Sequence, residues 1–241
     1  MITLILMKEM HVPALIILSP RFLTVYCLFP ALRDLISVAV GTIFFLAISY
    51  LLGKLSRNIG WRKQARLLVK WDGMPSTRFL RHRDTNIDVY TKRRYHKYLQ
   101  NCVPDLVIPT PEEELVDPAK ADLIYESAVK WLLKKARDSE TYNLLFHENI
   151  SYGFARNLWA MKWWGLFVNL LVLLGTVALI NKRYHFDLYA IPPEVWLAVT
   201  VTVFVMIVLL FFTQSSVHNK AKAYARTLLE VCDEEYDEKL A

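Results

Sequence analysis

With 241 residues, 54% of them hydrophobic and 22% charged, the chain is too apolar for a disordered polymer, and its three cysteines are too few for a disulfide-stapled scaffold. Lysine and arginine outnumber aspartate and glutamate 29 to 23, a net charge of +6. The cations gather beside apolar segments, which points to a lipid surface or an anionic partner and away from a merely soluble basic protein.

The amino-terminal 30 residues are apolar but hold Arg21 and the prolines Pro13, Pro20 and Pro30. Residues 11–29 are long enough to cross a bilayer. A charge near mid-membrane and the helix hydrogen bonds removed by proline weigh against them. A cleaved signal peptide fits badly, because Lys8 and Glu9 split the apolar run. Three further segments, 34–53, 163–181 and 195–213, carry no charge between their ends. Each runs about 20 residues, the length an α-helix needs for roughly 30 Å of hydrocarbon. The expected fold is an all-α membrane protein with three transmembrane helices, or four if 11–29 pairs with 34–53 across a tight turn at 30–34.

Lys54, Arg57, Arg62, Lys63, Arg66 and Lys70 follow the first clean span, Arg156 and Lys162 precede the second, and Lys220, Lys222 and Arg226 follow the third. Positively charged flanks stay in the cytoplasm, so the expected topology is a multi-pass protein of the inner membrane with its central region and C-terminus cytosolic. Lys182 and Arg183 oppose this count and are outnumbered. Trp159, Trp163 and Trp164 mark one interface and Tyr184, Phe186, Tyr189 and Trp196 the other. The resulting division is an N-terminal membrane region (1–54), a cytosolic helical domain (55–161), a transmembrane hairpin (162–214) and an amphipathic C-terminal helix (215–241).

Within the central region, residues 59–70 can prolong the first span. Asp88 or Thr91 can cap a helix that presents Tyr95, Tyr98 and Leu99 on one face. Prolines at 104, 109 and 111 make an extended linker, and Asp117-Pro118 reads as an N-cap followed by a first-turn proline. The helix beginning there should run to about Arg137, with an apolar stripe of Leu123, Ile124, Ala128, Trp131 and Leu132. In the tail Val217, Ala221, Tyr224, Leu228 and Val231 recur at helical steps. No stretch alternates with the period a strand requires. The cysteines, Cys27, Cys102 and Cys232, read as free structural thiols.

Two stretches look less like generic helix. Trp71-Asp72-Gly73-Met74-Pro75-Ser76-Thr77 is a turn in which Ser76 or Thr77 can cap the next helical stretch, leading to Leu80-Arg81-His82-Arg83-Asp84. Phe146-His147-Glu148-Asn149, Tyr152-Gly153-Phe154 and Arg156-Asn157-Leu158 bring polar and aromatic groups to the membrane edge. With Asp88, Thr91-Lys92, Tyr95-His96, Pro109-Thr110, Ala121-Asp122 and Tyr125-Glu126-Ser127, these residues resemble a group of uncharacterised bacterial inner-membrane proteins that carry a Trp-Gly-Gly-x-Pro-Thr-Thr turn before Leu-Arg-His-Arg-Asp. The chain departs from that pattern at Asp72 and Ser76. The resemblance covers most of 35–164 and implies a bacterial inner-membrane origin, with no activity to transfer.

Specific chemistry is hard to find. His82-Arg83-Asp84 repeats the kinase catalytic-loop tripeptide, but Val89 stands where the asparagine is needed and no glycine-rich loop exists. Asp84 and Asp88 could share a helix face, though an Asp–Arg salt-bridged turn is the simpler reading. His147-Glu148 lacks the second histidine of a zinc helix. No catalytic residue, metal ligand or cofactor is expected. The basic run supplies candidate contacts for an anionic ligand or lipid, namely Arg78, Arg81, Arg83, Lys92, Arg93 and Arg94. Pairing with the acids of 112–126 is the leading alternative, and nucleic acid or nucleotide binding is not favoured. Asn169 is the candidate helix–helix or pore contact. The expected partners are membrane lipids with anionic headgroups and further copies of the chain. The expected role is a regulatory or interaction module on the membrane. A pore-forming effector of the bacterial anti-phage kind and an unrecognised membrane enzyme are the alternatives.

Overall fold

The computed structural model describes residues 2–28 and 38–238, and every regular element among them is helical. The expected turn at 30–34 and the start of the 34–53 segment lie outside the described residues. In chain order the helices are α1 (Ile2–Leu28), α2 (Val38–Lys70), α3 (Pro75–Arg78), α4 (Val89–Cys102), α5 (Pro111–Val116), α6 (Pro118–Lys135), α7 (Asn143–Tyr184), α8 (Pro193–Phe211) and α9 (Gln214–Glu238). Two compact units divide them, one of residues 1–64 with 153–217 and one of 65–152 with 218–241. α7 and α8 are long and apolar enough to cross a membrane.

In the first unit α1 packs along α8. Its prolines lie inside the helix. The N–H that Pro20 lacks would have bonded the Ile16 carbonyl, which instead accepts from the Ser19 hydroxyl at 3.2 Å. Arg183 donates to the Leu28 carbonyl at 2.7 Å, tying the C-terminal ends of α1 and α7 together. At Gly165 of α7 a Cβ would meet Leu209 of α8 at 3.1 Å and Ile17 of α1 at 3.3 Å, so absence of a side chain is what lets the three helices close up there. Ile17, Leu158, Met161, Val205 and Leu209 form one apolar cluster, and Leu28, Ile180, Ile191 and Val195 form another.

Between these clusters the sequence places a polar layer. Thr24, Asn169, Thr176 and Thr202 are buried, and Arg21 lies one turn from Ile17 on the same face of α1. Thr176, Thr202 and Asn169 each donate back to a carbonyl four residues earlier, at 2.7–2.8 Å. Arg21 Nε, Thr24 Oγ1 and Asn169 Oδ1 are buried without a hydrogen-bond partner. The α2–α7 contact is also polar. Arg156 donates to Gln64 Oε1 at 2.7 Å and stacks over Trp61, while Lys63 donates to the Ala160 carbonyl at 2.6 Å. The stretch expected to interrupt regular helix at 146–158 does not. It runs unbroken within α7, because its polar side chains Arg156 and Asn157 are taken up laterally by this contact and by each other.

In the second unit the caps act where their chemistry predicts. Asp88 accepts from the Thr91 N–H at 2.9 Å and Asp117 from the Lys120 N–H at 3.0 Å. Pro111, read from the sequence as part of an extended linker, instead opens α5, because Thr110 and Glu113 make a reciprocal capping box around it. α2 ends at Lys70; beyond it Asp72 has a left-handed φ of +56°, and the Gly73 N–H reaches back to the Leu68 carbonyl at 2.9 Å. Ser76 and Thr77 do not cap. They are buried inside α3, whose N-cap position is held by Met74 ahead of Pro75.

The core of this unit takes Tyr95, Tyr98 and Leu99 from α4 and Ala221, Tyr224, Leu228 and Val231 from α9, as the spacing anticipates. On α6 the stripe is rotated from its expected phase. Ala121, Tyr125, Ala128, Val129 and Leu132 are buried, whereas Leu123 is exposed and Trp131 only partly covered. None of the three cysteines forms a disulfide among the described residues.

Candidate functional site

The 71–84 motif folds into a knot of charge pairs held by α4, α5 and α6. Its centre is Arg81, 4% exposed. The Nε and Nη2 atoms donate to the two carboxylate oxygens of Asp122 at 2.7 Å each, a bidentate fork. Nη1 pairs with the Asp72 carboxylate and Nη2 also donates to the Asp72 carbonyl at 2.8 Å. Burial alone would pull the Arg81 guanidinium down, but the bonds to Asp122 and Asp72 outweigh it and hold the pKa above its ordinary value. At φ +56° Asp72 occupies backbone that glycine adopts most easily. It is the position where the resembled motif carries glycine, and here the carboxylate serves Arg81.

Around this pair the remaining polar groups are consumed by backbone. Buried Lys92 donates to the carbonyls of Arg81, at 2.7 Å, and Asp84. Desolvation lowers its pKa, with nearby Asp84 and Glu114 opposing. Glu114, also buried, accepts from the His82 N–H and the Tyr125 hydroxyl at 2.8 Å each. Burial would raise its carboxyl, yet these bonds prevail and leave it below the usual range. His82 Nε2 lies 2.9 Å from the Pro109 carbonyl and His96 Nε2 lies 2.7 Å from the Leu80 carbonyl, so each carries its proton there. The His82 and His96 rings meet edge-on at 4.8 Å, and Tyr125 stacks beyond His96.

The six cations singled out in the sequence therefore separate. Arg78, Arg81, Arg83 and Lys92 come together in the knot. Arg78 lies 3.5 Å from Asp84, and half-exposed Arg83 lies within 4 Å of both Asp72 and Glu114. Arg93 and Arg94 sit on the outer face of α4, where Arg94 binds Asp233 of α9 through two 3.0 Å bonds. Asp84 and Asp88 do not share a helix face. Asp84 lies in the loop, where it accepts from Asn86 at 2.8 Å, and Asp88 caps α4. Asn169 belongs to the other unit, in its polar layer. No group of three His, Cys, Asp or Glu residues is placed to hold a metal ion among the described residues.

No family model, curated protein or solved structure matches this chain.

The chemistry of the knot is that of a joint. Its carboxylates and cations are committed to one another and to backbone groups. Glu114 and Asp122 are the partners that sequence reading passed over as individuals. The only local signal for Glu114 was its place in the first turn of a capped helix, and nothing in the spacing ties Asp122 to a residue 41 positions earlier.

Burial also drives the His96 imidazole down to about 4 from an ordinary 6.5, against its bond to Leu80. A base with a depressed native pKa stays neutral in the fold while the unfolded chain takes up a proton. Stability is therefore complete above pH 6.5 and is lost as pH falls from 6.5 towards 4. The shift corresponds to on the order of 3 kcal/mol. His96→Gln keeps a donor for the Leu80 carbonyl and is expected to flatten denaturant-measured stability across that window. An unchanged slope would assign the titration to another group.

Proposed function

We propose that this chain is an integral inner-membrane protein in which α2, α7 and α8, joined by α1 as a fourth span, anchor a cytosolic helical domain that serves as a regulatory or interaction module. The observation that carries the membrane reading is the direction in which α7 and α8 present their apolar side chains. Only 22% and 28% of their most apolar stretches are buried, and Phe167, Leu171, Leu174, Phe204, Leu210 and Phe211 face outward. A core helix of a soluble protein would hide these groups, whereas hydrocarbon solvates them. Exposed Trp163 and Trp164 at one end of the apolar stretch and Tyr189 beyond the other suit two headgroup layers.

The module reading is supported by how the second unit spends its charges. Its motif residues fix a rigid core, leaving binding to the surfaces around it. The basic flanks set the orientation. In a background with Cys27, Cys102 and Cys232 replaced by serine, single cysteines at Arg62 and Lys222 are expected to resist an impermeant maleimide in intact cells, while one at Asp187 is labelled. Labelling at Arg62 in intact cells would overturn the orientation, and release of the protein from membranes by alkaline carbonate would overturn the membrane reading itself.

A further inference from the structure

The second unit carries two unpartnered surfaces of opposite charge. The first is a cleft of about 580 Å³ where the 103–110 segment, α5 and the start of α6 meet. Its walls are Val107, Pro109, Ala121 and Ile124, and its rim holds Glu112, Glu113 and Asp117. A shallower extension shares Val107, Lys120 and Ile124 with it and adds Asp105 and Leu123. Val116 stands 86% exposed on the rim, and Val107 and Leu123 are also open. Four carboxylates against the single cation Lys120 make the cleft acidic as well as apolar.

The second surface is the outer face of α4. Val89, Tyr90, Arg93, Lys97 and Gln100 are exposed, and their spacing puts them on one continuous arc of the helix. Tyr90 is 75% exposed. The opposite arc, with Lys92, Tyr95, His96 and Leu99, is buried in the knot and the core, so Val89, Tyr90, Arg93 and Lys97 face away from it, while neighbouring Arg94 is taken up by Asp233.

We propose that the α4 face of one copy docks into the acidic cleft of a second copy, which names the partner of the interaction module and rests on that reading of the unit. Val89 and Tyr90 supply the apolar contact for Val107, Val116 and Leu123. Arg93 and Lys97 meet Glu112, Glu113 and Asp117. Charge complementarity selects a second copy, because the cleft requires an apolar helix face bearing cations and the same unit displays one. The two surfaces are distinct, so the contact is head-to-tail and closes into a ring or extends as a row in the membrane plane.

The test is the mass of the full-length protein in detergent micelles and in lipid nanodiscs. Arg93→Glu with Lys97→Glu disables the helix face, and Val107→Asp with Val116→Asp disables the cleft without creating a charge-swapped match between the two variants. All four positions are exposed, so helicity should match the parent. The parent is expected to be oligomeric, and each variant to dissociate at a concentration at least about tenfold higher, a loss of roughly 1.4 kcal/mol per contact. An equimolar mixture of the two variants retains one good contact and should give dimers and nothing larger. A parent that stays monomeric, variants that keep the parent's mass, a mixture that stays monomeric, or a monomeric parent that binds a synthetic Lys- and Leu-rich helical peptide would each overturn self-association. None of these outcomes bears on membrane insertion, which the carbonate extraction decides separately.

Discussion

Arg81→Glu is expected to unfold the second unit under conditions where the parent is stable. The substitution removes a bidentate partner from Asp122 and places a new carboxylate beside Asp72, with the side chain itself almost wholly enclosed. Breaking a buried ion pair from one side typically costs about 3–5 kcal/mol, because the orphaned charge stays desolvated. Arg83→Glu is the control. Arg83 is half exposed and lies 3.8 and 3.9 Å from its acidic neighbours, so its loss should cost less than about 1 kcal/mol. The double variant should behave like Arg81→Glu alone. Arg81→Met with Asp122→Leu, which removes both partners, should recover much of the loss. Thermal denaturation followed by circular dichroism, with hydrogen exchange to localise the change, reads all four. Equal effects of the two single substitutions would show that the knot is not what holds this unit.

Leu132→Asp should be nearly as damaging, and Trp131→Asp should not. Leu132 is fully enclosed on α6, so a carboxylate there sits in the core without a partner at a cost of several kcal/mol. Trp131 is partly covered and lies beneath the Lys135 ammonium at 5.7 Å. Removing it forfeits a cation–π contact and some packing, on the order of 1 kcal/mol. Limited proteolysis of the full-length protein distinguishes them, with rapid cleavage around α6 expected only for Leu132→Asp. If both variants resist protease as the parent does, α6 does not carry the core.

How far the sequence could be read depended on the range of the forces involved. Helix starts were legible at Asp88 and Asp117 because a cap is a contact between residues three apart, whereas the helix behind Thr110 reads as extended linker because its prolines outweigh its capping box. The two helices long and apolar enough to cross a membrane, α7 and α8, were legible because their signal is length and composition alone. The α6 stripe had the right period and the wrong phase. Leu123 and Trp131 outweigh Ala121 and Tyr125 as apolar groups, yet the buried face is chosen by the Tyr125 hydroxyl reaching Glu114 and by small alanines that let neighbours approach. The knot was the least legible part. Arg81 meets Asp122 across 41 residues, and the sequence offered six similar cations without marking which two would be buried. His96 and Lys92, on one turn of α4, gave no sign that their partners would be backbone carbonyls.

The close approach of three helices at Gly165 governs how the helices of the first unit find one another. Aliphatic helices pack almost as well after sliding by a turn, about 5.4 Å. Here such a slip of α8 or α1 against α7 would move Leu209 or Ile17 off Gly165 and onto Met161 or Asn169, one turn away on the same face of α7. Thr176 and Thr202 take their acceptors with them, since each donates to a carbonyl of its own helix, and so do not fix the depth. The alignment is therefore sensed at Gly165, where even a Cβ would meet Leu209 at 3.1 Å and Ile17 at 3.3 Å, so the larger side chains of Met161 or Asn169 do not fit in its place. Three otherwise interchangeable greasy surfaces thus share one vernier mark, and the bundle has a single depth at which its helices come to rest.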